Sequence, residues 1–314
     1  MRLSRFFIFT AACFLAIAGM LAFNCSDDYR LVTPDRQWAW APLGMGVDSL
    51  IYAFTIYNNK LIAGGIFDTA GGVSVNHIAA WNSSVWESLG TGIIGNIYAL
   101  TFYDNKLIAG GAFNAAGGVS ANRVAAWNGS CWEPLGTGMN GVVGDLIVYD
   151  NKLIAGGNFD IAGGVSANRV AAWNGSSWAP LGTGMNIRVF ALIVYDNKII
   201  AGGHFTTASG ASANHIAVWS DSVWEPLGTG IAGDVHALTV YENKLIAGGV
   251  FTAAGEVSAN YIAAWDGSSW EPLGTGMNSV VLALTVYDNK LIAGGNFDIA
   301  GGVRAISIAA CGLK

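Results

Sequence analysis

The chain has 314 residues, of which 53% are apolar and 11% charged, with a formal net charge of −6. It is too apolar to be disordered, and no long uninterrupted apolar run follows residue 23, which excludes a polytopic helical membrane protein. No basic patch is present, so nucleic acid is excluded as a partner.

The first predicted element is an export signal over residues 1–25. Arg2 and Arg5 precede an apolar stretch, Phe6 to Phe23, interrupted only by Thr10. Without these two arginines the net charge is about −8. The segment Leu21-Ala22-Phe23-Asn24-Cys25 resembles a bacterial lipoprotein box, which implies lipidation at Cys25, although Asn24 stands where the box has a small residue. Simple cleavage and a retained anchor are the alternatives, and the membrane is expected only through this signal or lipid. Residues 26–37 read as a short polar linker. The four cysteines, Cys13, Cys25, Cys131 and Cys311, have neither the spacing of a disulfide framework nor that of a zinc site.

From residue 38 onward one unit is repeated. Trp40, Trp86, Trp132, Trp178, Trp224 and Trp270 stand 46 residues apart, and Gly64 to Gly294 and Lys60 to Lys290 keep the same period. Each unit predicts four short strands. In the second unit these are Ile97 to Tyr103, Lys106 to Phe113, Arg123 to Trp127 and Trp132 to Leu135. Asp104-Asn105 and Asn128-Gly129 supply tight hairpin turns, and a glycine-rich loop, Ala116 to Ser120, separates the second strand from the third. No segment has helical periodicity. Four strands per 46 residues predict a propeller blade.

The last unit stops after its third strand, at Cys311, while a spare strand, Trp38 to Leu43, stands before the first. One strand from the start and three from the end predict a ring closed by the N-terminal strand. The expected fold is an all-β, six-bladed β-propeller over residues 38–314, with four antiparallel strands per blade. Face-to-face blade packing also explains the apolar excess, because the inner strands are buried on both sides.

The units resemble kelch repeats. Leu107-Ile108-Ala109-Gly110-Gly111 matches the kelch strand that ends in a double glycine, and Trp132-Glu133-Pro134-Leu135 resembles the kelch outer strand, without the Tyr that precedes that Trp in the standard repeat. The whole unit, as in WEPLGTGMN and LIAGG followed by AGGVSAN, is similar to extracellular repeats of secreted bacterial proteins and of the fungal cortical-marker family of cell polarity. This resemblance implies a propeller displayed outside the cell or on its envelope.

Catalytic patterns are not evident. Asp266-Gly267-Ser268-Ser269-Trp270 echoes the structural Asp-box of sialidases, but no arginine cluster accompanies it. The four histidines do not recur by blade, and no nucleophile triad, phosphate loop or carboxylate pair stands out. The expectation is a non-enzymatic protein without cofactor or metal. It would act as a binding or adhesion scaffold for another macromolecule, a protein or a glycan. A lectin reading rests on Glu87, Glu133, Glu225 and Glu271 beside their tryptophans, and a glycoside-type hydrolase is a third reading.

Differences between the units mark a candidate site. They concentrate where the first strand opens, where the second closes and where the third opens, all at one end of each blade. One variable column reads Tyr52, Tyr98, Gly144, Phe190, His236, Leu282. Polar members crowd into the third to fifth blades as Arg169, Arg188, His204, His215, Asp234 and His236. Asp145 joins them where every other unit has Ala. These seven residues are the expected ligand-binding set.

Overall fold

The computed structural model describes residues 41–312. The export signal, Cys25, the linker and residues 38–40 of the expected closing strand lie outside the described residues. Within them the chain is all-β and forms a six-bladed propeller.

Blade 2 shows the plan. Its strands Ile93–Tyr103, Lys106–Ala116, Val124–Trp127 and Trp132–Pro134 pair antiparallel in that spatial order, from the axis outward. The hairpin at Asp104 and Asn105 closes because both residues take positive φ, 48° and 58°, which matches the twist of the flanking strands. Two expectations need correction. The third strand begins at Val124, because Arg123 sits at φ 66° and turns the chain into the strand. The glycine-rich segment is a short ribbon rather than an irregular loop, pairing Ala115 with Ser120 and Ala116 with Val119.

The blades pack through small residues. A Cβ at Gly64, Gly110, Gly156, Gly202 or Gly248 would lie 2.5–2.8 Å from a side-chain atom of Ile97, Val143, Val189, Val235 or Val281 of the next blade. Only glycine allows that approach. The fourth-strand tryptophans are buried, as expected. Each of Trp86, Trp132, Trp178, Trp224 and Trp270 donates its indole N–H to the carbonyl of the leucine 43 residues earlier.

The junction between blades 6 and 1 differs. Blade 6 contributes Val281–Tyr287, Lys290–Gly295 and Ile308–Cys311, and no fourth strand pairs with Ile308–Cys311 among the described residues. Among the described residues a Cβ at Gly294 would meet only Ala283 and the Ser307 carbonyl, both at 3.8 Å, and nothing from blade 1. Ile308 is 58% exposed, whereas Ile78 is fully buried at the same position of blade 1. Leu43 belongs to the segment expected to close the ring, and its carbonyl accepts the Trp86 indole at 2.8 Å.

The two faces of the propeller are built differently. On the hairpin face the hydroxyls of Tyr103, Tyr149, Tyr195 and Tyr241 donate to the carbonyls of Asn151, Asn197, Asn243 and Asn289 in the following blade, at 2.9–3.2 Å. These bonds stitch neighbouring turns together. The opposite face carries the variable positions.

Candidate functional site at the axial mouth

Every inner strand carries a β-bulge at the same place. The pairing register shifts between Ile51 and Ala53, and likewise at Ile97/Ala99, Val143/Asp145, Val189/Ala191, Val235/Ala237 and Val281/Ala283. A bulge leaves one residue unpaired and re-aims its side chain. The six bulge residues are Tyr52, Tyr98, Gly144, Phe190, His236 and Leu282, one complete variable column, and all six line a cavity on the axis. The cavity is open to solvent. Its next tier is alanine in five blades and Asp145 in blade 3.

The bulge residues form an aromatic rim. Tyr52 and Tyr98 meet at 5.3 Å between ring centroids, and the amide of Asn96 donates to the Tyr98 hydroxyl at 3.0 Å. On the other side Phe190 stacks on His236 at 4.8 Å, and the guanidinium of Arg188 lies 5.2 Å from the Phe190 centroid. That guanidinium distance is within cation–π range.

Asp145 sits below the gap left by Gly144. One carboxylate oxygen accepts the N–H of Leu146 at 2.8 Å, and the other accepts the N–H of Leu192 in blade 4 at 2.7 Å. Asp145 is half-buried and lines the axial cavity. Desolvation pushes its pKa up to about 7, against the pull of the two N–H bonds.

A second cluster stands beside the rim on blades 4 and 5. Asp234 Oδ1 lies 2.5 Å from His204 Nδ1 and 3.4 Å from His215 Nδ1, and the two imidazoles meet edge to face. His236 is close enough to feel Asp234, Arg188 and His204. Burial is the largest influence on it and holds its pKa below the ordinary value. Among the described residues no group of three His, Cys, Asp or Glu side chains is disposed to hold a metal ion.

The structure thus brings Arg188, His204, His215, Asp234 and His236 into one neighbourhood, and Asp145 into the same axial cavity as His236. Arg169 makes none of these contacts. Its guanidinium donates to the Phe159 carbonyl of its own blade at 2.9 Å, as Arg123 does to Phe113 at 3.0 Å. Both brace the entry to a third strand at positive φ, a costly conformation for a long side chain. The rim members Tyr52, Tyr98 and Phe190 are absent from the expected ligand-binding set. Their shared column in the repeat was the available signal, and charge alone did not reveal it.

Two stretches, residues 104–125 and 196–217, match the family described as Domain of unknown function (DUF5122) beta-propeller. They fall at equivalent places of blades 2 and 4, spanning the inner hairpin turn to the third strand. No curated protein matches the chain. Among solved structures the chain is similar to the computationally designed Ika8 protein, with 19% identity, a TM-score of 0.52, and coverage of 84% of this chain and 76% of that one. That likeness concerns the fold.

Proposed function

We propose that the chain is an exported, envelope- or surface-displayed binding propeller, without catalytic activity, that holds a partner protein over its axial mouth. One observation carries this reading. One complete column of the residues that differ between otherwise near-identical blades lines one axial cavity together with Asp145, whereas recurrent tyrosines of the opposite face hold neighbouring blades together. The basic-apolar segment at residues 1–25 and the kelch-like, extracellular-type repeats support display outside the cell, with Cys25 as a lipid attachment point.

The lectin reading is less well supported. Glu87, Glu133 and Glu271 are engaged by Lys60, Lys106 and Lys244, which leaves fewer free acceptors for sugar hydroxyls. The test is partner capture followed by cross-linking mass spectrometry on the full-length chain, beside a glycan array, for wild type and Gly144→Leu. Cross-links at the mouth of blades 3 to 5 that vanish in Gly144→Leu are expected. Cross-links on the hairpin face, or glycan binding indifferent to the substitution, overturn the reading.

A further inference from the structure

We propose that the axial mouth is a receptor for an organic ammonium group, seated between the aromatic rim and the carboxyl of Asp145. The inference rests on the binding reading above and names its ligand chemistry.

The first observation is a coincidence of two departures in one blade. Five blades fill the rim with Tyr52, Tyr98, Phe190, His236 and Leu282 and place alanine beneath it. Blade 3 reverses both choices, with Gly144 at the rim and Asp145 beneath. Gly144 is not demanded by the backbone, since it does not take a positive φ. Packing bears on it at one point, since a Cβ there would press on the Val189 carbonyl at 3.3 Å and would otherwise meet only Gly156 and Gly157 backbone at 3.8 and 3.9 Å. What the glycine does is leave a way down to the carboxyl.

The second observation is electrostatic. Asp145 is half-buried, yet no cationic side chain of the described residues pairs with it; its oxygens accept the N–H groups of Leu146 and Leu192. A buried carboxylate wants a counter-ion. Each oxygen keeps an acceptor site after its backbone bond, and a ligand ammonium has three donors to offer.

The third observation is the rim. The rings of Tyr52 and Tyr98 line the mouth and offer π-density to a cation, while Phe190 is already engaged by His236 and by the cation of Arg188. The titratable groups that line the mouth are Tyr52, Tyr98, Asp145 and His236, and Arg188, Asp234, His204 and His215 stand beside it. Arg188 and Asp234 oppose each other in sign, and burial keeps His236 toward its neutral form. Asp145 is left as the uncompensated acid.

The chemistry has two sources, a free amine or a lysine side chain of a polypeptide. The probes are n-butylammonium, the peptide acetyl-Gly-Lys-Gly-amide and the neutral isostere 1-pentanol, titrated into the full-length chain by calorimetry and saturation-transfer NMR. Binding of both ammonium probes is expected, at least tenfold tighter than pentanol and strengthening from pH 5 to pH 8. A peptide that binds tighter than butylammonium assigns the site to a polypeptide. The variants carry residues that other blades already place there: Asp145→Ala, expected to weaken both ammonium probes at least tenfold, and Gly144→Leu, expected to abolish binding. Melting curves confirm folding. His236→Phe should retain the pH dependence, which separates Asp145 from the imidazoles.

Equal affinity for pentanol, or ammonium binding unchanged in Asp145→Ala, overturns the inference. If a captured partner is lost in Gly144→Leu but retained in Asp145→Ala, the axial site stands and the ammonium assignment falls. A partner indifferent to both substitutions overturns both.

Discussion

Asp145 Oδ2 accepts the backbone N–H of Leu192 at 2.7 Å, so a single side chain bridges blades 3 and 4 across the wall of the axial channel. The bond stabilises the blade contact while the enclosure penalises the charge, and pH decides the balance. Desolvation raises the folded-state pKa from 3.8 to about 7. The folded protein therefore binds more protons than the unfolded chain between these values. Its stability contribution is fully present below about pH 4 and is lost as pH rises through about 7. Relative to Asp145→Ala, wild type should melt progressively lower between pH 4 and pH 7 and show a constant offset above. Calorimetric scans of both proteins across that range check this, and parallel profiles would contradict it.

The Trp132 indole donates to the Leu89 carbonyl at 2.9 Å in a buried setting. Trp132→Phe keeps an aromatic ring but strands that acceptor, at a cost of about 1–3 kcal/mol. Trp178→Phe, which strands the Leu135 carbonyl, should cost a similar amount. Urea unfolding measures both. A loss below about 0.5 kcal/mol in each would mean that water replaces the bond.

Asp266 caps its hairpin turn by accepting the N–H groups of Ser268 and Ser269, both at 2.8 Å, and these bonds lower its pKa to about 2. The folded-state value is depressed, so the contribution is present above the ordinary value of 3.8 and is lost as pH falls through about 2. Asn128 makes the same turn bonds without ionising. Asp266→Asn should therefore be neutral at pH 7 and should lessen the loss of stability between pH 4 and pH 2. Acid titrations followed by far-UV circular dichroism read the difference. Superimposable acid limbs would remove Asp266 from the acid response.

The blade plan was legible because its signals are local and repeated: the 46-residue spacing of tryptophans, Asp-Asn turns that need positive φ, and a strand count per unit. The end at which the variable columns gather was legible too, since antiparallel strands fix it. The bulge was not. Ile97 and Ala99 read as neighbours in a regular strand, and only the pairing register shows that Tyr98 is expelled toward the axis. The contact Arg169 makes was illegible for a related reason. Its charge suggested a ligand, while the bond it makes depends on a positive φ and a carbonyl ten residues away, neither of which side-chain chemistry reveals.

The last prediction tests the junction between blades 6 and 1. Gly110 and Gly294 occupy the same place in the second strand of their blades, with LIAGG around both. A Cβ at Gly110 would lie 2.6 Å from Val143 and 3.0 Å from Leu146 of the next blade, so that something must shift to admit it. Gly110→Ala should cost about 1–3 kcal/mol, the usual range for overpacking a tight core. At Gly294 the nearest atoms are at 3.8 Å, and blade 1 supplies none of them. Gly294→Ala should therefore cost less than about 0.5 kcal/mol, as at a site without such contacts. The pair shares backbone, strand position and local sequence, so the difference isolates the contact with the following blade. Equal losses in urea unfolding would mean that blade 1 packs on Gly294 as tightly as blade 3 packs on Gly110. A junction of that kind would also bury Ile308.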